Sequence, residues 1–257
     1  MPRYSRSGRT TGTQRRWGRR VRKQARKEIV RLAETKRYWV INENWNNLVA
    51  PAIGSTQGSQ YIVNAFAPPP AGVADNQFIG NQIVDPLVVL NLTLSVNWWD
   101  AATHYAPRIP TYRVAVYLIG INDGLNIATP RQITASEFEG IFLTAPNTGF
   151  RWVLNKQNMV ILKRKVVTFS PKNVSYTGAG GSFEVKTLKV KKRFRGKKTY
   201  EQTVTTPSGT LVQQPILRGW NFYWFIVSNQ GTAPTATTGG FSPLVITGDR
   251  YMYFKDL

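Results

Sequence analysis

The run VVLNLTLSV, Val88 to Val96 within a stretch that begins at Ile83, alternates strictly: Leu90, Leu92, Leu94 and Val96 fall on one parity, Val89, Asn91, Thr93 and Ser95 on the other. Successive side chains of a strand point to opposite faces, so this stretch offers one apolar and one polar face. It reads as a strand lying on a core with its back to water. Downstream, YRVAVYLIGI from Tyr112 to Ile121 is a nearly continuous apolar run, which predicts a strand buried on both faces, and Asn122-Asp123-Gly124 closes it as a turn.

Working outward, further strands are expected at Lys36 to Asn42 (KRYWVIN), Gln60 to Phe66, Met159 to Phe169, Phe183 to Arg195, Gly219 to Asn229 and Asp249 to Lys255. Phe150 to Leu154 and Met159 to Phe169 bracket Asn155-Lys156-Gln157-Asn158, a hairpin turn. Thr134 to Leu143 fits either a helical turn capped by Thr134 or Ser136, or a strand. Between them lie loops rich in Gly, Pro and Thr, and those at Ala67 to Gln77 and Gly231 to Gly240 are expected to face outward. About eight strands, one core and no repeat of twenty to fifty residues predict an all-β fold. The expectation is a single eight-stranded antiparallel sandwich, and a jelly roll arranges such strands without long open edges.

The front of the chain is different. From Pro2 to Lys27 it carries Arg3, Arg6, Arg9, Arg15, Arg16, Arg19, Arg20, Arg22, Lys23, Arg26 and Lys27, with no acidic residue before Glu28. Such a segment repels itself and is settled by a polyanion. Nine of these eleven are Arg, whose planar guanidinium grips phosphate oxygens in pairs, and Tyr4 and Trp17 are interleaved as rings that can stack on bases. Trp17, Val21, Ala25, Ile29 and Leu32 recur at helical spacing, so a helix over about 14–34 competes with disorder, with Gly18 and the charge density opposing it. The boundary is expected at 35, with an arm over 1–35 and a β-sandwich body over 36–257. The cluster from Arg15 to Lys27 also has the density that a nuclear import receptor reads.

A second basic group follows the strand pattern. Lys189, Lys191, Arg193 and Arg195 share one parity of the Phe183 to Arg195 strand, opposite Leu188, Val190 and Phe194, and Lys163, Arg164, Lys165, Lys186, Lys192, Lys197 and Lys198 lie near them in sequence. A row of like charge on a strand calls for an anion over it, a nucleic acid or a sulfated attachment factor. Solvated edge charge that blocks strand pairing is the plainer reading.

The whole chain of 257 residues has 34 Lys and Arg against 13 Asp and Glu, a formal charge of +21, which points to nucleic acid or an anionic surface. No stretch approaches the roughly eighteen consecutive apolar residues of a membrane span, and no apolar signal core opens the chain. With no Cys and His104 as the only histidine, thiol and most metal-centred chemistry has no donors. Glu137 and Glu139 share a face only if their segment is a strand, and Asp100 and His104, after Trp98-Trp99, have no third partner. Neither a phosphate-cradling GxxxxGK[ST] nor a GxGxxG occurs. No catalytic residue, metal ligand or cofactor is expected, and the chain is read as a binding protein rather than an enzyme. Trp98, Trp99 and Tyr105 are candidate anchors between subunits.

The Arg-rich arm, KRYWVIN, the block RWVLNKQNMVILKRKVVTF, the block KTLKVKKRFRGKKTYEQ and the terminal RYMYFKDL, taken in order, resemble the capsid proteins of small circular single-stranded DNA viruses, the circovirus, cyclovirus and geminivirus relatives. The resemblance implies a jelly roll that self-assembles as a homo-oligomer into a small icosahedral shell, T=1 being the expected symmetry, with the arm directed inward onto a packaged single-stranded DNA genome. It implies residence in the virion and the host nucleus. The Cys and His of the zinc-finger-like segment in the geminivirus branch are missing, which favours binding by charge alone. The competing reading is a viral shuttle or movement protein that binds nucleic acid without forming a shell.

Overall fold

In the computed structural model the described residues are 12–32, 35–45, 60–66, 82–97, 111–122, 127–132, 159–170, 183–203, 212–229 and 244–255. They form one helix, α1 (Gly12–Leu32), and eleven strands: β1 (Thr35–Asn44), β2 (Gln60–Asn64), β3 (Gln82–Asn97), β4 (Tyr112–Ile121), β5 (Arg131–Gln132), β6 (Met159–Phe169), β7 (Phe183–Arg193), β8 (Lys197–Thr203), β9 (Val212–Leu217), β10 (Asn221–Asn229) and β11 (Leu244–Lys255). The expectations for Thr134 to Leu143, Phe150 to Leu154, the turn at Asn155–Asn158 and the two outward loops lie outside these residues.

All pairings are antiparallel and fall into two sheets. The first sheet runs β1-β11-β3, with β7 on the far side of β3 and β8-β9 continuing past it; the second runs β5-β2-β10-β4-β6. Without the short β5 and the β8-β9 pair, the chain order β1, β2, β3, β4, β6, β7, β10, β11 gives sheets β1-β11-β3-β7 and β2-β10-β4-β6. This is the eight-stranded jelly roll the strand count predicts, in which the chain changes sheet at nearly every connection.

The core lies between the sheets. From the first come Val88, Leu90, Leu92, Leu94 and Val96 of β3 and Ile246, Met252 and Phe254 of β11; from the second come Val63, Val114, Val116, Leu118, Trp224 and Ile226. These are the parities the alternation selects. At a position such as Leu90, fully buried, truncation to Ala costs about 2–5 kcal/mol in lost transfer energy and residual cavity. The continuous apolar runs of β4 and β10 have a second use: Ala115, Tyr117, Ile119, Tyr223, Phe225 and Val227 form a separate buried cluster on the other face of the second sheet. The central strands of the second sheet are therefore buried on both faces, as a run without alternation requires. The first sheet alternates, and its outward face mixes rings, aliphatic side chains and cations.

Two bulges shape that first sheet. Between Val40 and Glu43 the β1–β11 register slips by one residue, with Asn42 at φ 55, a left-handed conformation that Asn tolerates, and Asn42 N–H donating to Asp249 Oδ1 at 2.9 Å. The slip turns Glu43 inward to meet Arg250. On the opposite edge β7 and β8 form one strand interrupted at 194–196, where Gly196 (φ 82) N–H donates to Asp85 Oδ1 at 2.6 Å and Asp85 (φ 49) N–H to the Gly196 carbonyl at 3.0 Å. The sequence reading ended this strand at Arg195 and did not foresee β8 or β9.

Candidate nucleic-acid interface

Of the arm residues expected to bind, Arg15, Arg16, Arg19, Arg20, Arg22, Lys23, Arg26 and Lys27 lie on α1, and Arg3, Arg6 and Arg9 precede the described residues. The contest between helix and disorder resolves as one helix of 21 residues running through Gly18. Arg16, Arg19, Arg20, Arg22 and Lys23 are all exposed. At steps of three and four residues, Arg16, Arg19, Arg20 and Lys23 share a face. Trp17 and Val21 head the apolar line and are 70% and 44% exposed, so that line is open to solvent where the side chains are described.

Two residues after α1 the chain enters β1, the edge strand of the first sheet. Alternation aims Arg37 and Trp39 of β1 outward, and both are exposed, whereas Lys36 is buried. The register then carries two outward rows across the sheet. Trp39 faces Tyr251, Tyr251 faces Val89, and Val89 faces Lys191; Arg37 faces Tyr253, Tyr253 faces Leu87, and Leu87 faces Arg193. With strands about 4.8 Å apart, each row spans about 14 Å.

The outcome is a face with aromatic rings at one side and cations at the other. Trp39, Tyr251 and Tyr253 form the aromatic side, and the Arg37 guanidinium stands 4.8 Å from the Trp39 ring centroid. Partial desolvation first, and the Asp249 carboxylate second, hold the Tyr251 phenol above its ordinary value, so the ring stays neutral. On the opposite side Lys189, Lys191, Arg193, Arg195 and Lys197 are exposed in a line that runs through the bulge. Carboxylates are few beside these cations: Asp249 on β11, Asp85 on β3, which accepts from the Gly196 N–H, and Glu201 beyond Lys197 on β8.

Of the four cations expected on one strand, Lys189, Lys191 and Arg193 lie on β7 and Arg195 in the interruption after it; Lys197 joins their row, but Lys165, Lys186 and Lys198 do not. Lys165 donates to the Lys189 carbonyl at 2.8 Å, and Lys186 donates to the Thr168 carbonyl at 2.7 Å while pairing with Glu184 at 3.2 Å. These two lysines stitch the edge of one sheet to the edge of the other. Lys198 lies 5.2 Å from the Phe222 ring centroid, and burial pushes its ammonium below the ordinary lysine value. Arg164 stands over Tyr117 on the second sheet. A single basic constellation in the sequence becomes one exposed row plus side chains spent on packing and on joining the sheets.

Sequence reasoning missed Arg37, Trp39, Tyr251 and Tyr253 as a group. The signal was present in the alternation of RYW and RYMY, but only the pairing of the first and last strands brings the two together. Asp100, His104, Glu137, Glu139, Trp98, Trp99 and Tyr105 lie outside the described residues.

No family model matches the chain, and no curated protein matches it. Among solved structures, a chain of the cryo-EM structure of broad bean stain virus is similar over 88% of this chain and 87% of its own, at 6% identity and a TM-score of 0.33. A chain of the cowpea mosaic virus top component, described as naturally occurring empty particles, is similar over 86% of each chain at 11% identity and a TM-score of 0.25. The fold assignment rests on the strand order rather than on these likenesses.

Proposed function

We propose that the chain is a viral coat protein that assembles with copies of itself into a closed icosahedral shell and packages nucleic acid without reading its sequence. One observation carries the reading: an Arg-rich helix with exposed cations leads, within two residues, into the edge strand of a jelly-roll sheet whose outward face bears a second basic row. A jelly roll supplies the rigid block, the arm over 1–35 supplies the counter-charge, and symmetry multiplies weak contacts between blocks over 36–257. The finer assignments come from the resemblance to the capsid proteins of small circular single-stranded DNA viruses. They are circular single-stranded DNA as cargo, T=1 symmetry, and import into the host nucleus through a receptor that reads Arg15 to Lys27. The alternative occupant of the basic row is an anionic attachment factor of the host cell, such as a sulfated glycan. The work is binding and assembly, with no catalytic step, metal or cofactor.

The binding component is tested by salt dependence. Each phosphate contact on a single strand contributes about 0.7 to the slope of log affinity against log salt, so an arm using roughly eight to ten contacts gives a slope of about −6 to −7. A slope near −1 on oligo(dT) would contradict an arm that works by charge neutralisation. A steep slope from a protein that stays monomeric under all assembly conditions would move the assignment to a shuttle or movement protein.

A further inference from the structure

Beyond the arm, we infer that the outward face of β1-β11-β3-β7 is a stacking platform for single-stranded nucleic acid, on which Trp39, Tyr251 and Tyr253 take unpaired bases while Arg37, Lys191 and Arg193 hold the flanking phosphates. The inference deepens the coat-protein reading and rests on it for the source of the strand. Three observations on this face converge. The rings are outward, with Trp39 38% exposed, on a sheet whose other face is the core, so their positions are fixed by backbone pairing. The cations occur in the same two cross-strand rows as the rings, Lys191 and Arg193 two strand spacings from Tyr251 and Tyr253 and Arg37 directly beside Tyr253, so a strand laid across the sheet meets a ring and a cation together. The face carries the arm's attachment point, since β1 starts at Thr35 and α1 ends at Leu32.

The chemistry selects the occupant. A row of five exposed Lys and Arg that outnumbers the carboxylates beside it is complementary to a polyanion and repels a second basic copy of the chain. Neutral rings beside cations match a polymer that alternates planar bases with phosphates. A duplex keeps its base faces stacked inside, so it can use the cations and leaves the rings idle. The arm makes no such distinction, because charge neutralisation treats one strand and two alike. Preference for single strands therefore belongs to the platform.

The test uses the full chain with oligo(dT) and a duplex of equal length as probes. Trp39→Ala/Tyr251→Ala/Tyr253→Ala is expected to weaken oligo(dT) binding at least about tenfold, the loss of one or more stacked bases, while duplex affinity and the salt slope stay unchanged. The all-Phe triple variant is expected to restore most of it. Lys191→Gln/Arg193→Gln is expected to lower the salt slope by about 1.4 on oligo(dT). Equal losses on both probes, or none, would overturn stacking. Ultraviolet crosslinking of unaltered protein to oligo(dT), mapped by mass spectrometry, covers the case in which a variant fails to fold: crosslinks at Trp39, Tyr251 or Tyr253 support the platform, and crosslinks confined to 1–35 overturn it. If the charge variant loses heparin binding and keeps oligo(dT) binding, the face serves a sulfated polysaccharide and the inference falls. Particle formation by electron microscopy is read alongside. Particles without strand selectivity defeat the platform alone, and selectivity without particles defeats the coat-protein reading alone.

Discussion

Arg250 is a charged residue on the core side of β11, and its surroundings explain how it is tolerated there. Its Nε and Nη2 donate to the two Glu43 carboxylate oxygens at 2.5 Å each, Nη1 donates to the Asn64 carbonyl at 2.8 Å and Nη2 to the Ala128 carbonyl at 3.0 Å. One guanidinium thus ties β1, β2 and the segment before β5 to the last strand. Glu43→Gln leaves that cation buried without its counter-charge, and urea denaturation is expected to show a loss of about 3–5 kcal/mol. Glu43→Leu/Arg250→Met removes both charges and is expected to lose much less. Tyr200, fully buried and with its hydroxyl 3.6 Å from Met252 Sδ, gives a pH prediction. Burial first, and Tyr38 second, raise its folded-state value above the ordinary 10.0. The unfolded chain then gives up the phenolic proton before the folded one does, so the contribution is full below pH 10.0 and is lost as pH rises past it. Thermal melts from neutral to about pH 11 should show this alkaline loss, and Tyr200→Phe should reduce it.

Among the elements, α1 holds Gly18 in mid-helix, where an added Cβ would meet nothing within 4 Å. Gly18→Ala is expected to stabilise the helix by about 0.8–1 kcal/mol, read as increased ellipticity at 222 nm of a peptide spanning 12–32. How much of the fold the sequence disclosed varies by element for physical reasons. β3 was legible because Leu90 to Val96 alternate over one buried and one outward face, and β4 and β10 because burial on both faces erases the alternation. β8 and β9 were not, since KKTYEQT has only Tyr200 as a large apolar group and Pro215 interrupts VQQPIL. The row Lys189 to Arg195 was legible from parity alone. Its aromatic counterpart was not, because Trp39 and Tyr251 are neighbours only through pairing of the chain's two ends, and charge density in sequence does not separate Lys191, which faces out, from Lys165 and Lys186, which join sheet to sheet.

At the scale of the whole molecule, the two sheets differ in what covers them. The central strands of the second, β4 and β10, are buried on both faces, while the first sheet presents rings and cations outward with a basic helix attached at its edge. Placing many copies of a chain with net charge +21 side by side is opposed by self-repulsion unless a polyanion neutralises them. For the full chain, shell closure and cargo binding are therefore coupled in this account. The decisive measurement is negative-stain electron microscopy with size-exclusion light scattering on the full chain and on a chain beginning at Lys36, each expressed alone. The account predicts uniform closed particles carrying nucleic acid from the full chain, and empty or unstable particles from the shortened one. A full chain that remains a monomer or dimer while binding single-stranded DNA under every assembly condition would contradict it.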